Sequence, residues 1–150
     1  MKMLQAITES VLKLNMVAAE NIDAWAENAR FVGVAKDMGN DGMVLFRLHY
    51  TAAIVIERFP HQEHPAELLF GHVIAWLIDN DELREQLELD PPETDIDILD
   101  NQTADLEINI DFVEDVEIIQ DPAGPLRLNG ERYRLAPVRI DYALEGEVRT

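Results

Sequence analysis

The sequence predicts an α+β domain in which a mixed, largely antiparallel sheet packs against two or three helices. Three observations predict it. Leu4, Ile7, Val11 and Leu14 recur at alternating steps of three and four, and Leu69, Val73, Trp76 and Leu77 share a second helical stripe. Leu106, Ile108, Ile110 and Phe112 alternate with Asp105, Glu107, Asn109 and Asp111, the period of a strand with one face in the core and one in water. Asn129-Gly130 separates two further alternating runs, and Asn-Gly tolerates the positive φ angles that a tight hairpin turn requires.

In chain order, the opening stripe gives a first helix, which Asn15 weakens without ending. A second short helical stretch is expected after Asn21, with Ile22 and Trp25 three apart on its inner side and Asp23 near its positively polarised amino end. That signal stops near Ala29. Residues 31–35 read as a strand and run into Met38-Gly39-Asn40-Asp41-Gly42, a cluster suited to a hairpin turn. Residues 43–59 are apolar on both faces over much of their length, notably Ala52-Ala53-Ile54-Val55-Ile56, as in a central strand covered on both sides. At that length the run either bends near residues 49–51 or forms one long strand that curls around the core.

Residues 60–65 read as a loop, and Pro65 suits the first turn of the helix carrying Leu69 to Leu77. The helix fades after Ile78, residues 82–89 add another turn or two, and Pro91-Pro92 terminates them. Residues 90–94 resemble a linker. Ile96 and Ile98 against Asp95 and Asp97 repeat the later alternation, so two strands are expected to share an acidic outer face. Pro137 ends the Asn-Gly hairpin, residues 138–144 are expected to form one more strand, and residues 145–150 a frayed tail.

At 150 residues the chain suits one domain, residues 1–150, burying roughly 70% of the surface an unfolded chain exposes. Cysteine is absent, which removes disulfides, a thiolate nucleophile and a Cys-ligated zinc site, and fits a reducing cytoplasm. The amino terminus has neither a signal-peptide pattern nor an apolar run long enough for a membrane span, so no membrane partner is expected.

Net charge is -18 and unevenly placed. Residues 81–121 hold 16 acidic residues and one basic residue, Arg84, whereas residues 122–150 hold 4 acidic and 5 basic. Such a surface repels phosphate backbones, so nucleic-acid binding is not expected. The plain reading is a solvated face that keeps the protein soluble; the sharper one is a docking surface for a basic partner.

Catalytic constellations are thin. His61 and His64 have metal-ligand chemistry at a spacing of three, but they sit between Pro60 and Pro65, where a regular helix is disfavoured. His72 reads as a packed or edge histidine, and His49 stands alone on a strand. The acidic run from Asp95 to Asp100 lacks the glycine of a calcium loop, and no phosphate loop or nucleophile elbow is present. No enzyme activity, cofactor or metal is therefore expected.

The run Tyr50-Thr51-Ala52-Ala53-Ile54-Val55-Ile56-Glu57-Arg58-Phe59, followed by Val73-Ile74-Ala75-Trp76-Leu77, the acidic Asp105-Leu106-Glu107-Ile108-Asn109-Ile110 and the Leu128-Asn129-Gly130-Glu131 hairpin, resembles the phage tail completion protein R family. The resemblance covers roughly residues 50–135. It implies a tail-terminator-like, non-catalytic protein of contractile-tailed phages and prophages, made in the host cytoplasm and placed in the virion tail. There it would finish the head-proximal end and prepare it for joining to the neck. Implied partners are tail tube, sheath or neck proteins and further copies of the chain, since proteins with this role commonly form rings, often hexameric. A ring needs two different surfaces on each subunit. The acidic strands with Asp105, Glu107 and Asp111 and the basic hairpin with Arg127, Arg132, Arg134 and Arg139 are candidate halves of that contact; the alternative is that these arginines pair within their own subunit.

Two readings from other classes stand beside this one. An acidic decoy or immunity protein would block a basic nuclease or nucleic-acid-binding protein by imitating phosphate charge. A metalloenzyme would use the His61 to His64 loop.

Overall fold

The structure is a computed structural model and describes residues 1–137. The strand expected over 138–144, the tail over 145–150 and Arg139 lie outside the described residues. Two strands of 18 residues each, β1 (Ile22–Gly39) and β2 (Gly42–Phe59), form an antiparallel hairpin. Its turn is Asn40-Asp41, both at positive φ, which short polar side chains tolerate by bonding to nearby backbone.

Beyond β2 come α2 (Ala66–Asn80), the single turn α3 (Leu83–Gln86), and then β3 (Glu93–Ile98) and β4 (Ala104–Gln120). The expected linker over 90–94 is thus shorter, since β3 already begins at Glu93. Short strands β5 (Leu126–Leu128) and β6 (Glu131–Leu135) close the hairpin about Asn129 and Gly130, both at positive φ. The order across the sheet is β1-β2-β4-β6-β5, and β3 pairs with the same edge of β4 as β6 does, nearer its other end.

The fold is α+β as expected, and the sheet, expected to be mixed but largely antiparallel, is antiparallel in every described pairing. The reason is topological. The helical crossover returns β3 in the direction of β2, but β4 inserts between them, so the two like-directed strands never become neighbours. Of the two alternatives for residues 43–59, the single long strand is present. Its irregularities fall between Val44 and Phe46 and between Ile56 and Phe59, away from residues 49–51.

The helices cover one face of the sheet. α1 (Lys2–Lys13) buries Met3, Ala6, Ile7 and Val11, and α2 buries Leu69, Val73, Trp76 and Leu77. Together they cover Tyr50, Ala52, Ile54 and Ile56 of β2 and Leu106, Ile108, Ile110 and Phe112 of β4. The sheet side of that layer is the alternation visible in the sequence. Trp76 meets Phe112 edge-on at 6.5 Å between ring centroids, and Tyr50 lies 5.8 Å from the same ring.

One expected element is replaced. The stretch after Asn21 is not helical: beyond a short 3-10 turn at Ala19–Asn21, β1 begins at Ile22. Ile22, Ala24 and Ala26 turn toward the helices while Asp23, Trp25 and Glu27 turn away. Ile22 and Trp25 therefore sit on opposite faces. Alanines at the inward positions hide a period of two, and pairing with β2 overrides their helix propensity.

Candidate interaction surface

Alternation places every second strand residue on the face away from the helices, and register decides which of these become neighbours. There Asp23 stands beside Val55 and Val55 beside Glu107, while Glu27 stands beside Thr51 and Thr51 beside Asp111. On the far side of β4, Glu107 faces Asp95, Asp105 faces Asp97 and Asn109 faces Glu93. The two acidic alternations form one continuous surface, as expected. Asp23 and Glu27 extend it, and their membership was hidden by the expected helix.

Part of this charge is fixed by local bonds. Thr51 Oγ1 donates to Asp111 Oδ1 at 2.7 Å, the Arg58 backbone N–H donates to Asp105 Oδ1 at 2.9 Å, and Trp25 Nε1 donates to Glu27 Oε2 at 2.8 Å. Among the described residues nothing comparable binds Asp97, which lies exposed and directly opposite Asp105.

Toward the other end of the same face bases predominate, interspersed with Asp115 beside Arg47 and Glu117 beside Val44. Arg30 stands beside His49, Val32 beside Arg47, and Lys36 beside Val44. Arg134 stands beside Ile119, and Arg132, two residues earlier, pairs with Arg127. Burial and the two neighbouring guanidinium groups, Arg30 and Arg47, hold the His49 imidazole below its ordinary pKa. Arg47 is paired with Asp115 at 2.8 Å, Arg134 lies 3.4 Å from Asp121, and Arg132 donates to the Gly124 carbonyl at 3.1 Å. Arg134 thus meets a carboxylate of its own subunit, though Asp121 in the connection rather than Asp105, Glu107 or Asp111.

All described members of the candidate contact accordingly lie on one sheet face, with Asp105, Glu107 and Asp111 toward one end and Arg127, Arg132 and Arg134 toward the other. Asp111 and Ile119, the residue beside Arg134, are about 27 Å apart along β4 at strand rise. Opposite charges held that far apart cannot neutralise one another within the subunit. No local pattern marks Lys36 and Arg47 as members of this end, because only pairing through β2 brings them there.

Several polar groups away from this face are bound within the fold. Glu114 of β4 is buried and accepts the Lys2 and Met3 N–H groups, each at 3.0 Å, together with the Tyr50 hydroxyl. Burial, reinforced by Glu114, raises the Tyr50 pKa well above that of a free phenol. Asp81 is buried beside Arg84 at 3.1 Å; burial raises its pKa against the opposing pull of Arg84. Arg84 also lies over the Phe112 ring and donates to the carbonyls of Asp90 and Asp111. His61 Nε2 lies 3.1 Å from the Asp100 carbonyl, and His72 is exposed on α2. Among the described residues no three His, Asp or Glu side chains converge as a metal site, and no helix is long and apolar enough to cross a membrane.

Residues 1–137 match the family described as P2 phage tail completion protein R. The chain is also 28% identical, over 128 residues, to a 19.2 kDa protein from the rep-hol intergenic region of Haemophilus phage HP1 (strain HP1c1), covering 85% of this chain and 77% of that protein. No solved structure matches it significantly.

Proposed function

Because this chain belongs to the P2 phage tail completion protein R family, we propose that it caps the head-proximal end of a phage tail and prepares that end for joining to the neck. The observation that carries this reading is the sheet face with acidic and basic ends, which suits contact with other protein subunits better than binding of a small molecule. Asp105, Glu107 and Asp111 form one half of an electrostatic contact, and Arg127, Arg132 and Arg134 the other. The partners are tail tube, sheath or neck proteins and further copies of this chain in a ring, hexameric in the simplest case. The protein acts without catalysis.

Purified protein is incubated with tails lacking their terminator, an unrelated acidic protein serves as control, and tail ends are imaged by electron microscopy. Capped ends of uniform length are expected. Bare ends at saturating protein would remove the capping role. Charge reversal at Arg132 and Arg134 that leaves capping intact would remove those arginines from the contact.

A second reading has one observation in its favour. Carboxylates on alternate positions of neighbouring strands make a regular array, as a decoy for a basic nuclease requires. Against it, the same face ends in Arg132 and Arg134, which would repel such a partner. Tight binding to a basic nuclease together with bare tails would favour the decoy.

A further inference from the structure

β3 pairs with β4 on one side, and among the described residues no strand lies on the other. All six of its residues are exposed, and its register against β4 runs from Glu93 to Ile98 without a shift. Which backbone groups it leaves open follows from β4. On this flank the Ala136 N–H donates to the Glu117 carbonyl, whereas the Gln120 N–H turns the other way, to the Asp41 carbonyl. Odd-numbered residues of β4 therefore direct their backbone groups at β3, and their partners Glu93, Asp95 and Asp97 answer them. Thr94, Ile96 and Ile98 direct their N–H and C=O groups to the open side.

The two faces of this edge differ. Asp95 and Asp97 stand on the acidic face, opposite Glu107 and Asp105. Ile96 and Ile98 stand on the helix side, where they line a groove with Pro65 and Ala66, and Ile98 is 61% exposed. Charged side chains commonly guard an open edge against stray pairing. Here the guard has one sign and stands on one face, so it repels acidic strands and admits basic ones.

The chain itself offers no such strand. β3 against β3 of a second copy sets Asp95 and Asp97 against like charges. The open edge of β1 shifts register between Glu27 and Arg30 and again between Gly33 and Lys36, which interrupts the ladder that strand addition needs. β5 has three residues and one base, Arg127. β6 alternates Arg132 and Arg134 with Tyr133 and Leu135, but β4 and β5 already pair with its two sides. Residues 138–150 carry two bases, Arg139 and Arg149, against three acids.

We propose that the open edge of β3 receives an extended segment of a different protein, one with Lys or Arg at alternate positions and apolar side chains between them. The segment adds a strand to the sheet. Its backbone pairs with Thr94, Ile96 and Ile98, its bases stand beside Asp95 and Asp97, and its apolar side chains enter the groove along Ile96 and Ile98. Resting on the tail-completion reading, this gives the chemistry by which a tube, sheath or neck protein is recognised beside the acidic face.

A terminally blocked peptide alternating arginine with valine is titrated into the whole protein at about 0.15 M salt, where the screening length is about 8 Å. Controls are a peptide of the same composition with its arginines grouped together and one with glutamate in place of arginine. The alternating peptide should bind about tenfold more tightly than the grouped one, as expected of two cross-strand charge pairs on a continuous ladder. It should also slow amide exchange at Thr94, Ile96 and Ile98. Equal binding of the two peptides, or unchanged exchange at these amides, would overturn the proposal. Ile96→Pro removes an outward N–H without breaking a bond to β4. It should weaken binding about tenfold while circular dichroism stays unchanged, and undiminished binding by this folded variant would count against the edge. Asp95→Lys/Asp97→Lys, at exposed positions, should turn the preference toward the glutamate peptide; a retained preference for arginine would sink the proposal whether or not Ile96→Pro folds. On terminator-deficient tails, capping by the lysine variant would refute this contact and leave the tail role standing. Peptide binding by wild-type protein that leaves tails bare would do the reverse.

Discussion

The Glu114 carboxylate, carried on β4, accepts the Met3 backbone N–H of α1 at 3.0 Å across 111 residues of chain. A helix begins with unpaired N–H groups, normally satisfied by a side chain just before the first turn. Here Met1 offers no such side chain, and the cap comes from the sheet. One side chain therefore satisfies two N–H groups at the start of α1 and fixes where it docks.

Replacing that acceptor should be costly. Glu114→Gln keeps the volume but points an NH₂ group at donors, and the expected loss is about 1–3 kcal/mol, the range for leaving a buried polar group unsatisfied. Urea unfolding followed by circular dichroism measures it. A loss within about 0.5 kcal/mol would mean that α1 is held by its apolar stripe alone.

Tyr50 predicts a loss of stability in alkali. Its pKa is raised in the folded protein above the unfolded value of 10.0, so beyond pH 10 the unfolded chain releases a proton that the native protein retains. Stability from this group is complete below pH 10 and falls above it by about 1.4 kcal/mol per pH unit. Tyr50→Phe should start lower, by about 1 kcal/mol, and lack this component of the decline. Parallel denaturation curves at pH 9 and pH 11 for both proteins are the measurement; equal slopes would refute the assignment.

The Asp81–Arg84 pair is buried, with side-chain exposures of 3% and 15% respectively. Arg84→Leu strands a buried carboxylate and should cost about 3 kcal/mol, whereas the double variant Asp81→Leu/Arg84→Leu should recover most of it. A double-mutant cycle with no coupling would show that Arg84 stabilises chiefly through Phe112 and the two carbonyls.

On the acidic face, Asp97 and Asp105 are directly opposed like charges. Asp97→Asn should raise stability by about 0.5 kcal/mol at low ionic strength. About 1 M salt, which shortens the screening length to about 3 Å, should erase the gain. Thermal unfolding at two salt concentrations checks both statements. A gain insensitive to salt would point to a cause other than repulsion.

The elements that could be read from the sequence are those whose periodicity is written in strong contrasts. Leu106 to Phe112 against Asp105 to Asp111 could only be a half-buried strand, and the stripes of α1 and α2 could only be helices with a core side. The turn residues Asn40, Asp41, Asn129 and Gly130 marked both hairpins, because few residues accept the backbone angles found there. β1 was misread where Ala24 and Ala26 blur that contrast. The family resemblance was likewise carried by local runs of residues 50–135, and the match extends over residues 1–137.

Local pattern determined which residues face water, and so that the protein would bear an acidic sheet face. Only the tertiary structure decided what those residues stand beside. Register joined Asp23 to Glu107 through Val55, set Arg47 beside Asp115, and placed Glu114 beneath the start of α1. The physical reason is that side-chain direction follows from the chain's own dihedral period, whereas neighbours on different strands are chosen by the free energy of pairing and burial over the whole sheet.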